Sequence, residues 1–159
     1  MSEHRIGPVL SLLRQGLTVG VEYGAHSLEA LLWVAETVEN GVYRPGSLVR
    51  HDAGLAFILD NPPLRTGAFS SARLSVEGAP LAPEEVRCRV GPGGPWRRFD
   101  SISAATPLEL RPGVPTEFET TATRGSAPGP ITVRLELISL AIPPRVWFEF
   151  TDRARTEET

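Results

Sequence analysis

The sequence contains no lysine, so all 16 of its basic residues are arginine. Schiff-base chemistry and lysine-assisted proton abstraction are therefore excluded, because both need a side-chain amine that can lose its proton. Arginine stays charged at physiological pH and binds carboxylates or phosphates with a planar fork of N–H donors. The basic side chains are suited to fixed pairing and recognition more than to proton transfer.

Only one cysteine is present, so Cys88 cannot form a disulfide within the chain. It lies in VRCRV, where strand alternation predicts Val86, Cys88 and Val90 on one face and Arg87 and Arg89 on the other. We interpret Cys88 as a small buried apolar residue, which is the usual state of a free cysteine. A nucleophilic thiol would need a nearby histidine, and none is close in sequence.

Histidines and paired acids are also few. His4, His26 and His51 lack the spacing of a metal site, and His51 is interpreted as a residue of a hairpin turn. Glu84 and Glu85 are adjacent, so along a strand they would point to opposite faces and could not share a substrate. The sequence therefore predicts no catalytic, cofactor-binding or metal-ligating residue in this chain.

The chain also lacks a basic excess and a long apolar run. A net charge of −3 and a pI near 5.6 argue against a nucleic-acid partner, which needs a basic face. The N-terminal run VLSLL is interrupted by Arg14 and Gln15 before a signal-peptide core or a membrane span is complete. We therefore expect a cytoplasmic protein without a membrane partner.

What is abundant is turn-forming sequence, with 15 glycines and 15 prolines. Residues 1–46 are predicted as an N-terminal helical extension with a helix over 28–40. PVLSLLRQ is read as a short helix and LTVGVEY as a strand, but the period of such short apolar runs leaves helix and strand both open. The apolar stripe of that last helix comprises Leu28, Leu31, Leu32, Ala35 and Val38. Either the sheet that follows or another subunit could receive the stripe.

From residue 47 the pattern is β. Short alternating segments are separated by turn signals such as Asp52-Ala53-Gly54 and Glu77-Gly78, which predict hairpins. Gly54 stands where a hairpin turn commonly needs a positive φ. The fold class is therefore predicted as mainly β: a two-layer antiparallel β-sandwich over 47–151, with the N-terminal helical extension before it and a polar tail over 152–159.

Two segments are candidates for binding a partner. Leu64 and Arg65 lie in a Pro/Gly-rich connection between two predicted strands, and we expect Arg65 to contact another chain because it has no periodicity that gives it an internal role. Trp96, Arg97 and Arg98 follow the GPGGP loop and have the composition enriched at interfaces. We read these five residues as a predicted partner interface.

The segment from Gly46 to about Leu137 resembles the small, or β, subunits of bacterial C-glycoside deglycosidases. The similarity lies in GSLV, in GLAFILDNPPLRTGAFS with its arginine-glycine loop, in ARLSVEGAPLAPEEVRCRV, in PLELRPGVPTEF and in ITVRLELISLAIPP. Leu64 stands where that family carries an aromatic residue, and Thr66 separates Arg65 from Gly67.

The resemblance implies a β-sandwich subunit attached to a TIM-barrel α subunit that holds a divalent metal and a histidine base. Together such subunits cleave the C–C bond between an oxidised sugar and an aromatic aglycone by elimination. We therefore expect a non-catalytic accessory β subunit, in a hetero-oligomer. Two alternatives stay open: a stand-alone β-sandwich that assembles with itself through the N-terminal helix and serves binding or scaffolding, and a small lyase or isomerase acting in the sandwich interior.

Overall fold

The computed structural model describes residues 5–6, 10–12, 17–23, 43–51, 54–60, 68–111, 113–121, 129–139 and 145–157. These residues form strands and two short 3₁₀ turns, Pro83–Glu85 and Phe99–Ser101. The strands are β1 Arg5–Ile6, β2 Leu10–Leu12, β3 Leu17–Tyr23, β4 Val49–His51, β5 Gly54–Asp60, β6 Ala68–Val76, β7 Ala79–Pro80, β8 Val86–Val90, β9 Arg97–Arg98, β10 Leu108–Glu109, β11 Pro115–Thr120, β12 Pro130–Ser139, β13 Arg145–Arg153 and β14 Arg155–Thr156. Within this part of the chain, no helix has the length and apolar character needed to cross a membrane.

The strands form two sheets, which confirms the predicted two-layer sandwich. One sheet has the order β1-β3-β13-β12-β6-β10, with β2 paired to β3 and β7 paired to β6. The other has the order β14-β4-β5-β11-β8-β9. Among the described residues the strand pairs are antiparallel, except that β14 pairs with β4 in parallel. The predominance of antiparallel pairs leaves one face of each sheet for the core and the other for solvent.

Strict alternation along the strands explains the core. In β12 the apolar residues Ile131, Val133, Leu135 and Leu137 are buried, as their spacing predicts, and the residues between them face outward. An aromatic cluster fills the centre of the sandwich and comprises Tyr43, Phe57, Phe99, Phe118 and Phe150. The buried polar residues of the described interior are Thr116 and Thr120, so that interior is a packed apolar layer.

The N-terminal prediction is partly wrong. Leu10–Leu12 is a strand, so PVLSLLRQ is not a continuous helix; an apolar run this short has no decisive period, and pairing with β3 selects the strand. LTVGVEY is a strand as predicted, and it pairs with β13 inside the eight-stranded sheet. The helix expected over 28–40, with its apolar stripe, lies outside the described residues.

Part of the predicted polar tail is also strand. β13 continues to Arg153, and β14 pairs with β4 at the edge of the six-stranded sheet. The polar residues of β14 do not alternate with apolar ones, so the sequence pattern did not indicate a strand there. An edge strand with solvent on its exposed side needs little apolar surface.

Both predicted hairpins are present, but for one of them the role of the glycine differs from the expectation. β6 and β7 meet at Glu77 and Gly78, both with positive φ (51° and 76°), as a two-residue turn of this hand requires. In the β4–β5 hairpin the predicted reason for Gly54, a positive φ, is wrong. A Cβ at Gly54 would lie 2.5 Å from the Thr120 hydroxyl oxygen and closer still to the Thr120 carbonyl oxygen. Gly54 is therefore required by the close approach of β11.

A buried polar contact fastens residues 43–46 to β13. The Tyr43 hydroxyl donates to Asp152 Oδ2 at 2.6 Å, and the Gly46 N–H donates to the same oxygen at 2.9 Å. Burial, followed by the bond to Asp152, raises the pKa of Tyr43 well above its ordinary value, so the hydroxyl keeps its proton. Burial acts to raise the pKa of Asp152, but hydrogen bonds from Tyr43, Gly46 and Arg153 outweigh it and hold that pKa below its ordinary value.

This contact predicts how stability depends on pH. Because the pKa of Asp152 is lower in the folded state, its carboxylate stabilises the fold above the unfolded-state pKa of about 3.9, and that contribution is lost as pH falls through the folded pKa. We expect Asp152→Asn to lower the free energy of unfolding at pH 7, with the difference from wild type shrinking below about pH 4. Urea unfolding of both proteins between about pH 3 and pH 7 measures this difference in the free energy of unfolding. A difference that does not change with pH would contradict the lowered pKa of Asp152.

Candidate functional site

A connection between the two sheets lies at one end of the sandwich. β5 ends at Asp60, opposite Pro115 at the start of β11, and β6 begins at Ala68, opposite Glu109 at the end of β10. The connection 110–114 therefore joins the two sheets at this end of the sandwich. Residues 61–67, which follow β5 and precede β6 in the sequence, lie outside the described residues.

The glycine-rich loop 91–95 leaves β8 at the same end. The Gly91 N–H donates to the Pro115 carbonyl at 2.9 Å, and Gly91 has a φ of 78°. The Gly94 N–H then donates to the Gly91 carbonyl at 3.1 Å, which closes a tight turn. The chain returns as β9, which pairs with β8, so this loop places Trp96 beside the outer face of β8.

The outer face of the six-stranded sheet carries ion pairs between β8 and β11. Arg87 lies opposite Glu119 in the register and donates to it through Nε at 2.7 Å. Arg89 lies opposite Glu117 and makes a fork with Nε at 3.1 Å and Nη2 at 2.9 Å. Cross-strand pairs of this kind contribute roughly 0.2–1 kcal/mol each. Their more important effect is to fix the two guanidinium groups in position.

Trp96 packs against these two arginines. The Arg87 and Arg89 guanidinium carbons lie 4.5 Å and 4.8 Å from its ring centroid, within the range of cation–π attraction. Trp96 nevertheless keeps 36% of its surface exposed and is the exposed large hydrophobic residue of the described chain. We call Trp96, Arg87, Arg89, Glu117 and Glu119 the Trp96 platform: an aromatic side chain held in place by charges that are themselves paired.

The platform borders a cleft and a histidine. The cleft has a volume of about 410 Å³ and is lined by Glu84, Glu85, Val86, Arg87, Trp96, Arg98 and Thr121. His51, predicted as a turn residue, is the last residue of β4, and its Nε2 lies 3.5 Å from Glu119 Oε1. The His51 side chain is 16% exposed, so it packs beside the platform and is not a turn residue in open solvent.

The two arginines after Trp96 have different surroundings. Arg97 donates to the carbonyls of Pro107 at 2.9 Å, Thr106 at 2.7 Å and Ser101 at 3.3 Å, so it holds its own loop. Arg98 pairs with Asp100 at 2.9 Å and is largely exposed. Of the predicted interface, the structure therefore presents Trp96 and Arg98 at the surface and gives Arg97 an internal contact. Leu64 and Arg65 lie outside the described residues.

A second tryptophan has a similar contact on the opposite layer. The ring of Trp147, on β13, lies 4.3 Å from the Arg134 guanidinium carbon. Trp147 is half-buried on the outer face, whereas Phe148 is in the core, as the alternation of side chains along a strand requires of adjacent residues. Trp147 therefore offers a natural comparison for Trp96.

Two observations concern the thiol and the metal-binding side chains of the described residues. Cys88 is fully buried, as predicted, and burial, only partly opposed by the charge of Arg97, raises the pKa of its thiol to about 12. Within the described residues no group of three or more His, Cys, Asp or Glu side chains could hold a metal ion. What this part of the surface offers is recognition: an aromatic side chain, oriented arginines and two clefts.

No protein-family model matches the chain, and no curated protein matches it either.

Proposed function

We propose that this chain is the non-catalytic β subunit of a C-glycoside-deglycosidase-like complex. In this proposal a TIM-barrel α subunit holds the divalent metal and the base, and cleaves the C–C bond between an oxidised sugar and an aromatic aglycone. The proposal is supported by the sequence resemblance over Gly46 to Leu137, and it is compatible with a sandwich of two antiparallel-rich sheets. The role of this chain would be to bind and position its partner.

The observation that carries this proposal is the Trp96 platform. Tryptophan and arginine are the residues most enriched among those that dominate binding energy at protein interfaces. Two ion pairs and the arginine contacts already restrict the Trp96 side chain, so less conformational entropy would be lost when a partner covers it. A large exposed aromatic group that is already ordered is a favourable centre for an interface.

Self-assembly is the competing function, and the same exposed Trp96 would serve it as a contact between two copies. The two functions predict different complexes. An accessory subunit should be found with a second, larger polypeptide, whereas a scaffolding protein should form only multiples of its own 17.2 kDa mass.

The test is to purify the tagged chain from the cells that encode it and to record native mass spectra of the eluted complexes. We expect a stoichiometric complex with a TIM-barrel protein. Assemblies of this chain alone, at every concentration and in every growth condition used, would reject the accessory role and favour self-assembly.

Arg65 provides a separate prediction. If the side chain is desolvated at the interface, Arg65→Ala should weaken partner binding by roughly 2 kcal/mol, about 30-fold, while changing the stability of the isolated chain by only about half a kcal/mol. Arg73→Ala is the matched control, since Arg73 is an exposed arginine on the outer face of β6. Calorimetry measures both affinities. An unchanged affinity would rule out the docking role, and a large loss of stability would show that Arg65 holds its own loop.

A further inference from the structure

The second cleft of the described residues lies at the end of the sandwich where the chain crosses between the sheets. It has a volume of about 480 Å³, within the range of small-molecule sites. The glycine-rich loop forms one wall, and the opposite wall comes from residues 107–109 and from Arg111 and Val114. Val90 and Val114 supply partly exposed apolar surface, and the volume is sufficient for a ring-sized apolar group.

Arg97 gives this cleft its electrostatic character. Arg44, Arg87, Arg89, Arg98 and Arg134 each form a salt bridge with a carboxylate. Arg97 differs from these five: it donates to three backbone carbonyls, and among the described residues no carboxylate lies within salt-bridge distance of it. Carbonyl dipoles solvate a guanidinium but do not neutralise its charge. A half-buried cation therefore lines the cleft without a paired anion from this part of the chain.

The guanidinium also retains hydrogen-bonding capacity. Of the five N–H donors of an arginine, Arg97 directs three to the carbonyls of Ser101, Thr106 and Pro107. These bonds fix its orientation, and the other two N–H groups have no acceptor among the described residues. Charge-assisted hydrogen bonds to a carboxylate are the strongest that such donors make.

From this geometry we infer that the cleft binds a small organic carboxylate with an apolar body, its carboxylate paired with Arg97 and its body against Val90 and Val114. Glu109 also lines the cleft and opposes anion binding, whereas Arg89, which lines it as well, is paired with Glu117. A lone acidic side chain from a partner would fill only part of the volume. This site is independent of the proposed subunit role.

The inference is tested by titrating the full chain with benzoate, benzamide and acetate, following backbone amide shifts by NMR. Benzoate should perturb Gly93, Gly94 and Val114 and bind at least about tenfold more tightly than benzamide, which lacks the charge. Acetate, which carries the carboxylate of an acidic side chain without the ring, should also bind at least about tenfold more weakly. Equal binding of benzoate and benzamide, or shifts elsewhere, would overturn the site. Equal binding of benzoate and acetate would overturn the claim that the ligand has an apolar body.

A variant at Gly93 tests the charge without disturbing Arg97. Gly93 lines the cleft, has no positive φ, and a Cβ there would meet no atom within 4 Å, so substitution should leave the fold intact. Gly93→Glu should weaken benzoate binding by about threefold or more through repulsion between like charges, and Gly93→Gln should leave it within about twofold. The same loss of affinity in both variants, or in neither, would contradict the inference.

Discussion

Gly54→Ala is expected to destabilise the protein by about 3 kcal/mol, which for a chain of this size lowers the melting temperature by roughly 6–12 °C. The cause is steric. The new Cβ would overlap the Thr120 carbonyl and hydroxyl oxygens, and both belong to the end of β11. Thr120 cannot easily move aside, because it is buried and its hydroxyl accepts a hydrogen bond from the Leu55 N–H at 3.0 Å.

Gly93→Ala is the matched control for this substitution. It adds the same methyl group at a glycine with open space around it and without a positive φ, so we expect a change within about half a kcal/mol. Thermal unfolding of both variants compares the two sites. A Gly54→Ala protein as stable as wild type would show that β5 and β11 do not approach each other as closely as the structure indicates.

Trp96→Ala is expected to weaken binding of the co-purified partner by about 2 kcal/mol or more, which corresponds to about 30-fold in dissociation constant. The reason is that the indole is large, partly exposed and already held by Arg87 and Arg89, so its burial by a partner would require little further ordering. The loss should appear mainly as faster dissociation, which surface plasmon resonance resolves.

Trp147→Ala is the control for Trp96→Ala. It shows whether removing any tryptophan that packs against an arginine weakens partner binding. Trp147 also packs against an arginine on an outer sheet face, but it lies on the opposite layer. We expect Trp147→Ala to leave the affinity for the partner within about threefold of wild type. If the two variants weaken binding equally, the Trp96 platform is not the centre of the interface; if only Trp147→Ala weakens it, the partner binds the other layer.

The sequence was sufficient to predict the strands in which apolar and polar residues alternate over several positions. In β12 four buried aliphatic residues alternate with polar ones over most of its length, so both the strand and its buried face could be predicted. The β6–β7 hairpin was equally predictable, because Glu77-Gly78 is a two-residue turn signal between apolar segments.

Short strands that depend on a partner could not be predicted. β14 has two residues and no alternation, and it is a strand only because β4 offers a free edge. Leu10–Leu12 is too short for a helical and a strand period to be told apart. Gly54 shows a further limit: its steric role depends on Thr120, a residue that only the assembled sheet brings close.

The candidate site was predicted in composition but not in geometry. The Trp96-Arg97-Arg98 segment was identified by residue type, yet the arginines that hold Trp96 are Arg87 and Arg89. Their acidic partners are separated from them by 32 and 28 residues, so the pairing requires the β8–β11 register. The only signal available was that RCR and EFE both alternate charge with an apolar residue, which is typical of neighbouring strands with matched outer faces.

In the proposed function this chain assists a catalytic partner and does not react itself. The most direct measurement is the cleavage of an oxidised C-glycoside with an aromatic aglycone, assayed with this chain alone, with the co-purifying TIM-barrel protein alone, and with both mixed. We expect no released aglycone from this chain alone and the highest turnover from the mixture. Cleavage by this chain alone, or a partner equally active with and without it, would contradict the claim.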